Sequence, residues 1–164
     1  MSMLIRQLSA SDTSDWRSIR LEAVKLHPEA FGASIEEEYS RSDSEFAEGL
    51  KRNTIFASYD GQKITGCVGF FMLPQAKMQH RGTLFGMYVR QEFRRSGLSG
   101  RLVSAVLGHA GSRVLQVHCN VVTTNIPALR LYERNGFVIY GTEPRSLKVG
   151  HNFYDEHLMV RRFD

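Results

Sequence analysis

The apolar positions of this chain change period several times, and each change marks an element. Residues 3–8 alternate as a strand does. Trp16, Ile19, Ala23 and Leu26 then recur at helical spacing, predicting a helix that is capped by Asp12 or Ser14 and ends near residue 26. "HPEAFGAS" breaks that helix. An acidic segment, "EEEYSRSDSEF", leads into a second short helix over residues 43–52 with Ser42 as its cap. From residue 54 the period becomes two, and "TIFASY" and "KITGCVGFFML" read as strands joined by a "DG" turn. "GTLFGMYV" is a third strand. A helix follows from Leu98 to about Ala110, with Leu102, Val103, Val106 and Leu107 on its buried side. "RVLQVHCNVV" is a strand, "IPALRLYERN" a helix, and "GFVIYGTE" and "NFYDEHLMVRRF" are the last two strands.

The element order β-α-α-β-β-β-α-β-α-β-β predicts an α/β mixed sheet, antiparallel in its first part and strand-helix-strand in its second. At 164 residues, without linker-like or repetitive segments, residues 1–164 are expected to form one domain. Composition narrows the function classes. The formal charge of +4 would suit an anionic partner, but the basic residues are dispersed and carry no recognition motif, so nucleic acid is not an expected partner. Cys67 and Cys119 lie in apolar contexts without ligand spacing, and the six histidines are scattered, so no metal is expected. The longest apolar stretch, "CVGFFML", is too short to cross a bilayer and no secretory leader is evident, which predicts no membrane partner and a cytoplasmic location.

Two stretches carry candidate chemistry. In "VRQEFRRSGLSGRLV" a strand gives way to a helix through Arg94, Arg95, Ser96 and Gly97. A helix N-terminus offers free backbone N–H groups and a dipole that favours anions, and the glycine permits close approach or positive φ. The letters match neither a Walker phosphate loop nor a dinucleotide fingerprint. Taken alone, the stretch reads equally as two solvated arginines and a helix cap. In "TTNIPALRLYERNGF", Asn125, Ala128, Tyr132 and Gly136 fall along one stripe of a helix, where a small side chain beside a tyrosine makes a shallow slot with a proton donor. By itself Tyr132 reads more readily as a half-buried core tyrosine, because aromatic residues on helices usually serve packing.

Together, "RRSGLSGRL" and "NIPALRLYERNGF" resemble the pyrophosphate loop and the Asn-x-x-Ala-x-x-x-Tyr helix of the GNAT superfamily of acetyl-CoA-dependent N-acetyltransferases. The resemblance covers nearly the whole chain. It implies a GNAT-like fold, a central, mostly antiparallel twisted sheet with helices on both faces. It also implies acetyl-CoA as co-substrate, with direct transfer of the acetyl group to a primary amine of a small molecule or peptide. Carried over by position, the backbone of Met87, Tyr88 and Val89 would pair with the pantetheine arm. The amides of Arg95, Ser96, Gly97, Leu98, Ser99 and Gly100 would hold the pyrophosphate, with Arg94 and Arg95 screening its charge. Asn125 would bond the pantetheine region, Ala128 would leave room for it, and Tyr132 would protonate the leaving thiolate. Ser99 departs from the family pattern, which has Gly or Ala there. The strand before the loop lacks the carboxylate that many members use as base. Glu36, Glu37, Glu38, Asp155, Glu156, His80 or a water are the alternatives, and a non-catalytic acyl-CoA-binding module is the rival reading. Pairing of two copies, with the C-terminal strand as a candidate surface, is a further implication.

Overall fold

A computed structural model describes residues 3–164. One seven-stranded sheet runs in the order β1-β2-β3-β4-β5-β7-β6. Its strands are β1 (Leu4–Gln7), β2 (Thr54–Asp60), β3 (Lys63–Met72), β4 (Arg81–Val89), β5 (Gln116–Val122), β6 (Val138–Val149) and β7 (Asn152–Arg162). All neighbours are antiparallel except β4 and β5. The helices among the described residues are α1 (Thr13–Leu26), α2 (Ile35–Ser40), α3 (Asp43–Arg52), α4 (Leu98–Ala110) and α5 (Ile126–Arg134).

Alternation along the strands divides the core between the two faces of the sheet. Ile55, Ala57 and Tyr59 of β2 and Cys67 of β3 pack with Trp16, Ile19 and Ala23 of α1 and with Phe46 and Leu50 of α3. Val68 and Phe70 of β3 and Val117, Cys119 and Val121 of β5 pack with Leu102, Val103 and Val106 of α4 and with Leu129 and Tyr132 of α5. Helices therefore cover both faces, as the resemblance implies.

The structure differs from the sequence reading in three places. The acidic segment contains α2, whose capping box joins the Ser34 hydroxyl to the Glu37 amide and the Glu37 carboxylate to the Ser34 amide. Leu26 is exposed, because α1 ends there, and Val24 takes the buried place instead. Strand β6 continues to Val149, past a register shift between Glu143 and Leu147 that bulges Pro144, Arg145 and Ser146 out of the ladder.

The feature that positions the site is a separation of two strands. β4 and β5 pair only where Arg81, Gly82 and Thr83 lie beside Gln116, Val117 and His118. Beyond Thr83 the β5-facing edge of β4 has no strand partner among the described residues. A bulge between the pairs Cys67–Tyr88 and Gly69–Phe85, with Gly86 at φ +65°, re-aims the last residues of β4. The gap is a wedge that opens toward the N-terminus of α4.

Candidate active site

Residues 94–100 connect β4 to α4 in a conformation suited to anions. Arg95 has φ +61° and Gly97, the N-cap of α4, has φ +78°, both in the left-handed region. The first helical bond of α4 runs from the Arg101 amide to the Gly97 carbonyl. Among the described residues, no hydrogen bond engages the amides from Arg95 to Gly100. Successive N–H groups in this geometry, at the positive end of a helix, form a concave site for a phosphate. A Cβ at Gly97 or Gly100 would meet nothing within 4 Å, so both glycines border open space.

Side chains around this nest are partly committed. Ser96 Oγ donates to the Phe93 carbonyl at 2.6 Å, which closes the loop and leaves only the Ser96 amide for a ligand. Arg94 Nε donates to the Val89 carbonyl at 2.9 Å, and its Nη2 lies 3.2 Å from His27 Nε2. Arg94 is thus a brace between β4 and the end of α1, and one backbone acceptor at the end of β4 is occupied. Arg95 has no such tie among the described residues.

The nest opens into a cleft of about 930 Å³, within the ~300–1,000 Å³ usual for small-molecule sites. Met87, Tyr88, Val89, Arg94, Arg95, Gly97, Leu98, Ser99, Gly100, Asn125 and Ala128 all line it. The fold thus gathers residues from β4, the loop, α4 and α5 that are far apart in the chain. Ser96 and Tyr132 are not in the lining. Asn125 caps α5, its Oδ1 accepting the Ala128 amide at 3.3 Å, which leaves the Nδ2 group to face a ligand.

Tyr132 sits one layer deeper, 5% exposed, with its ring edge-on to Phe137 at 5.5 Å. Burial, with Cys119 adding a smaller effect, raises its phenol well above the ordinary value. A phenol so placed keeps its proton at neutral pH. Its hydroxyl takes part in no hydrogen bond among the described residues, and it is not one of the fully enclosed orphan atoms, which are Arg90 Nε and Arg161 Nε. The oxygen therefore keeps an opening.

A second cavity of about 490 Å³ adjoins the first, and the two share Ala30 and Phe31. Its wall includes Phe85 and Gly86 of β4, immediately before Met87 of the larger cleft. The remaining wall comes from Arg20, Arg81, His118, Tyr140 and Glu156, among others.

The candidate bases separate here. Glu36 and Glu37 are exposed on α2, and the Glu37 carboxylate is occupied by the capping box. Glu38 is 4% exposed and lies between Arg20 at 3.6 Å and Arg41 at 3.2 Å. Asp155 accepts the Arg145 amide of the β6 bulge at 2.8 Å, and His80 is exposed at the start of β4. Only Glu156, of these candidates, lines either cavity. Its Oε1 accepts the Ser146 hydroxyl at 2.5 Å, so the bulge in β6 serves to orient it.

His118, Arg20, Arg81 and Tyr140 were not legible as site residues from the sequence. Gln116 Nε2 lies 2.7 Å from His118 Nε2, and His118 Nδ1 lies 3.2 Å from the Tyr140 hydroxyl. Burial first, then the charges of Arg81 and His80, lowers the imidazole below its ordinary value. Neutral His118 accepts from Gln116 through Nε2 and donates through Nδ1 to Tyr140, leaving the Tyr140 proton free to donate onward.

The buried thiols of Cys67 and Cys119 are both pushed up to about 12 by burial, so neither is a nucleophile at neutral pH. Among the described residues no cluster of His, Cys, Asp and Glu is arranged to hold a metal. Among the described residues no helix is long and apolar enough to cross a membrane.

Residues 16–137 match the model of the acetyltransferase (GNAT) family. The chain belongs to the GNAT family. Solved structures agree with that placement in fold. A GNAT acetyltransferase from Streptococcus pneumoniae superposes with a TM-score of 0.88 at 22% identity, over 99% of this chain and 100% of that one. The yncA protein of Salmonella typhimurium, whose structure holds its cofactor acetyl-CoA, has a TM-score of 0.87 at 18% identity, over 100% and 95%. A ribosomal-protein-alanine N-acetyltransferase from Brucella melitensis has a TM-score of 0.82 at 17% identity, over 98% and 99%. No curated protein matches this GNAT chain in sequence.

Proposed function

We propose that this GNAT protein is an N-acetyltransferase that transfers the acetyl group of acetyl-CoA to a primary amine by direct attack in a ternary complex. The observation that carries the reading is the run of unengaged amides from Arg95 to Gly100 at the mouth of the cleft. It offers backbone donors for a pyrophosphate, and the wedge between β4 and β5 offers an unpaired strand edge for an amide-containing arm. The residues present fit acetyl-CoA by this test.

In the proposed reaction Glu156 accepts a proton from the acceptor ammonium, directly or through one water, and frees the nitrogen lone pair. The amine nitrogen bonds to the acetyl carbonyl carbon, the carbon–sulfur bond breaks, and the nitrogen gives up its second proton to water. Tyr132 supplies a proton to the departing sulfur and regains it from solvent. A tyrosine whose reference pKa of ~10 is raised further by burial is a weak acid toward a thiolate near ~8.5. The transfer is therefore driven by the charge that develops on sulfur as the carbon–sulfur bond breaks. Products are an N-acetylated amine and free CoA thiol.

The rival reading, a non-catalytic acyl-CoA-binding module, rests on the absence of a carboxylate on β4. The enzyme reading is supported by Glu156, which lines the adjoining cavity from a different strand. One experiment separates the readings: thiol release from acetyl-CoA across a broad amine panel, with mass detection of the acetylated product. Transfer to any amine well above the buffer rate supports the enzyme, whereas acetyl-CoA binding without transfer supports the module.

A further inference from the structure

The smaller cavity has an electrostatic character that selects among amines. Arg20 reaches it from α1, where the side chain is 13% exposed and the guanidinium lies 5.3 Å from the Phe31 ring centroid. Its Nη1 would lie 3.1 Å from a Cβ at Gly86, so the missing side chain at the β4 bulge is what lets the guanidinium approach the strand. Glu38 stands 3.6 Å from Arg20 Nε, beyond hydrogen-bond reach, and is shared with Arg41. No guanidinium N–H of Arg20 or Arg81 has a hydrogen-bond acceptor among the described residues. The cavity therefore holds two arginines with unused donors, a neutral histidine and one carboxylate, Glu156.

We infer that the acceptor is a small amine that also bears a carboxylate, of the α-amino-acid kind. This rests on the acetyl-transfer reading and adds the class of acceptor to it. Arg20, whose planar fork matches a carboxylate, holds the anionic end beside the β4 bulge. Arg81 adds to the field, Tyr140 donates its free proton, and Glu156 receives the ammonium. The excess of cationic over anionic side chains disfavours polyamines, which would bring more positive charge. A volume of about 490 Å³ suits a molecule of amino-acid size.

The test uses the full chain with each of the common L-amino acids and its matched carboxamide, read in two ways. Turnover is followed by thiol release, and binding by calorimetry with unacetylated CoA present. At least one amino acid should bind and react about tenfold to a hundredfold better than its amide. Arg20→Met should erase that ratio and leave acetyl-CoA affinity unchanged. Because Arg20→Met removes one neighbour of buried Glu38, Arg20→Lys serves as the second variant. It keeps the charge and the fold but loses the fork, and should lower the acid-to-amide ratio without shifting the melting temperature. Equal use of acids and amides, preference for amides or simple alkylamines, or binding of no amino acid in the panel overturns the inference. Failure of acetyl-CoA itself to bind instead removes the acetyl-transfer reading, so the two failures are distinct.

Discussion

The nest at the start of α4 and the cavity beside Glu156 meet at Phe31, yet they are built in opposite ways. The nest is made from consecutive residues and offers backbone amides, so its donors survive most changes of side chain. The cavity takes side chains from α1, β4, β5, β6 and β7, so each substitution there alters what it recognises. On the proposed reading, one surface would hold an anion that never varies, and the other could drift toward a new acceptor. In a fold built this way, specificity can change while the chemistry of the donor is retained.

The largest expected effect concerns the phenol buried behind the cleft wall on α5. Tyr132→Phe should lower turnover by ~10²–10⁴-fold, the usual worth of a general acid, while acetyl-CoA affinity changes little. Removing an oxygen that has no hydrogen bond should leave the melting temperature near that of the parent. Equal turnover in the two forms would take Tyr132 out of the acid role.

Next comes the backbone itself. Gly97→Ala places a side chain at φ +78°, which costs about 1–2 kcal/mol in the folded state and also intrudes on the open face of the nest. Acetyl-CoA affinity, read by calorimetry, should fall by roughly tenfold, with the amine preference unchanged. A loss of amine preference without loss of cofactor affinity would break the division between the two regions.

A control outside both regions is Asp12. The Arg6 guanidinium, bonded at 2.9 Å, holds its carboxyl down to about 2, against desolvation, which acts the other way. A carboxylate depressed in the folded state contributes stability that is full above its unfolded value near ~4 and lost as pH falls toward 2. Asp12→Ala should cost ~1–2 kcal/mol at pH 7 in denaturant unfolding, and this difference from the parent should shrink below pH 4. Activity at pH 7 should be unaffected.

The smallest effect is predicted for Ser99→Gly. If the amide rather than the side chain holds phosphate, affinity for acetyl-CoA should stay within about twofold of the parent. A gain of an order of magnitude would mean that the hydroxymethyl group obstructs the nest.

These contrasts also explain what could be read from the sequence. The nest and the Asn125 cap are written in short contiguous segments, so "RRSGLSGRL" and "NIPALRLYERNGF" carried them. Alternation identified the strands because each side of the sheet packs against helices. The α2 helix announced itself by Ser34 and Glu37 at capping-box spacing, a signal masked by the acidic run in which it lies. Arg20, His118, Tyr140 and Glu156 come together only through strand order, with β7 inserted between β5 and β6. Glu156 stood among many carboxylates until that order placed it opposite Val122, at the end of β5 where the wedge opens. No local pattern marks such a group, because its neighbours are distant in the chain. The same holds for the depth of Tyr132, which its helical spacing did not distinguish from the cleft-facing Ala128.

Backbone amides, assembled by a left-handed glycine at a helix start, are proposed to hold the pyrophosphate of acetyl-CoA. Amide hydrogen exchange resolved at residues 95–100, with and without acetyl-CoA, tests this most directly. Exchange should slow at those amides, more than at the amides lining the smaller cavity. Unchanged exchange at residues 95–100, with protection appearing elsewhere, would contradict it.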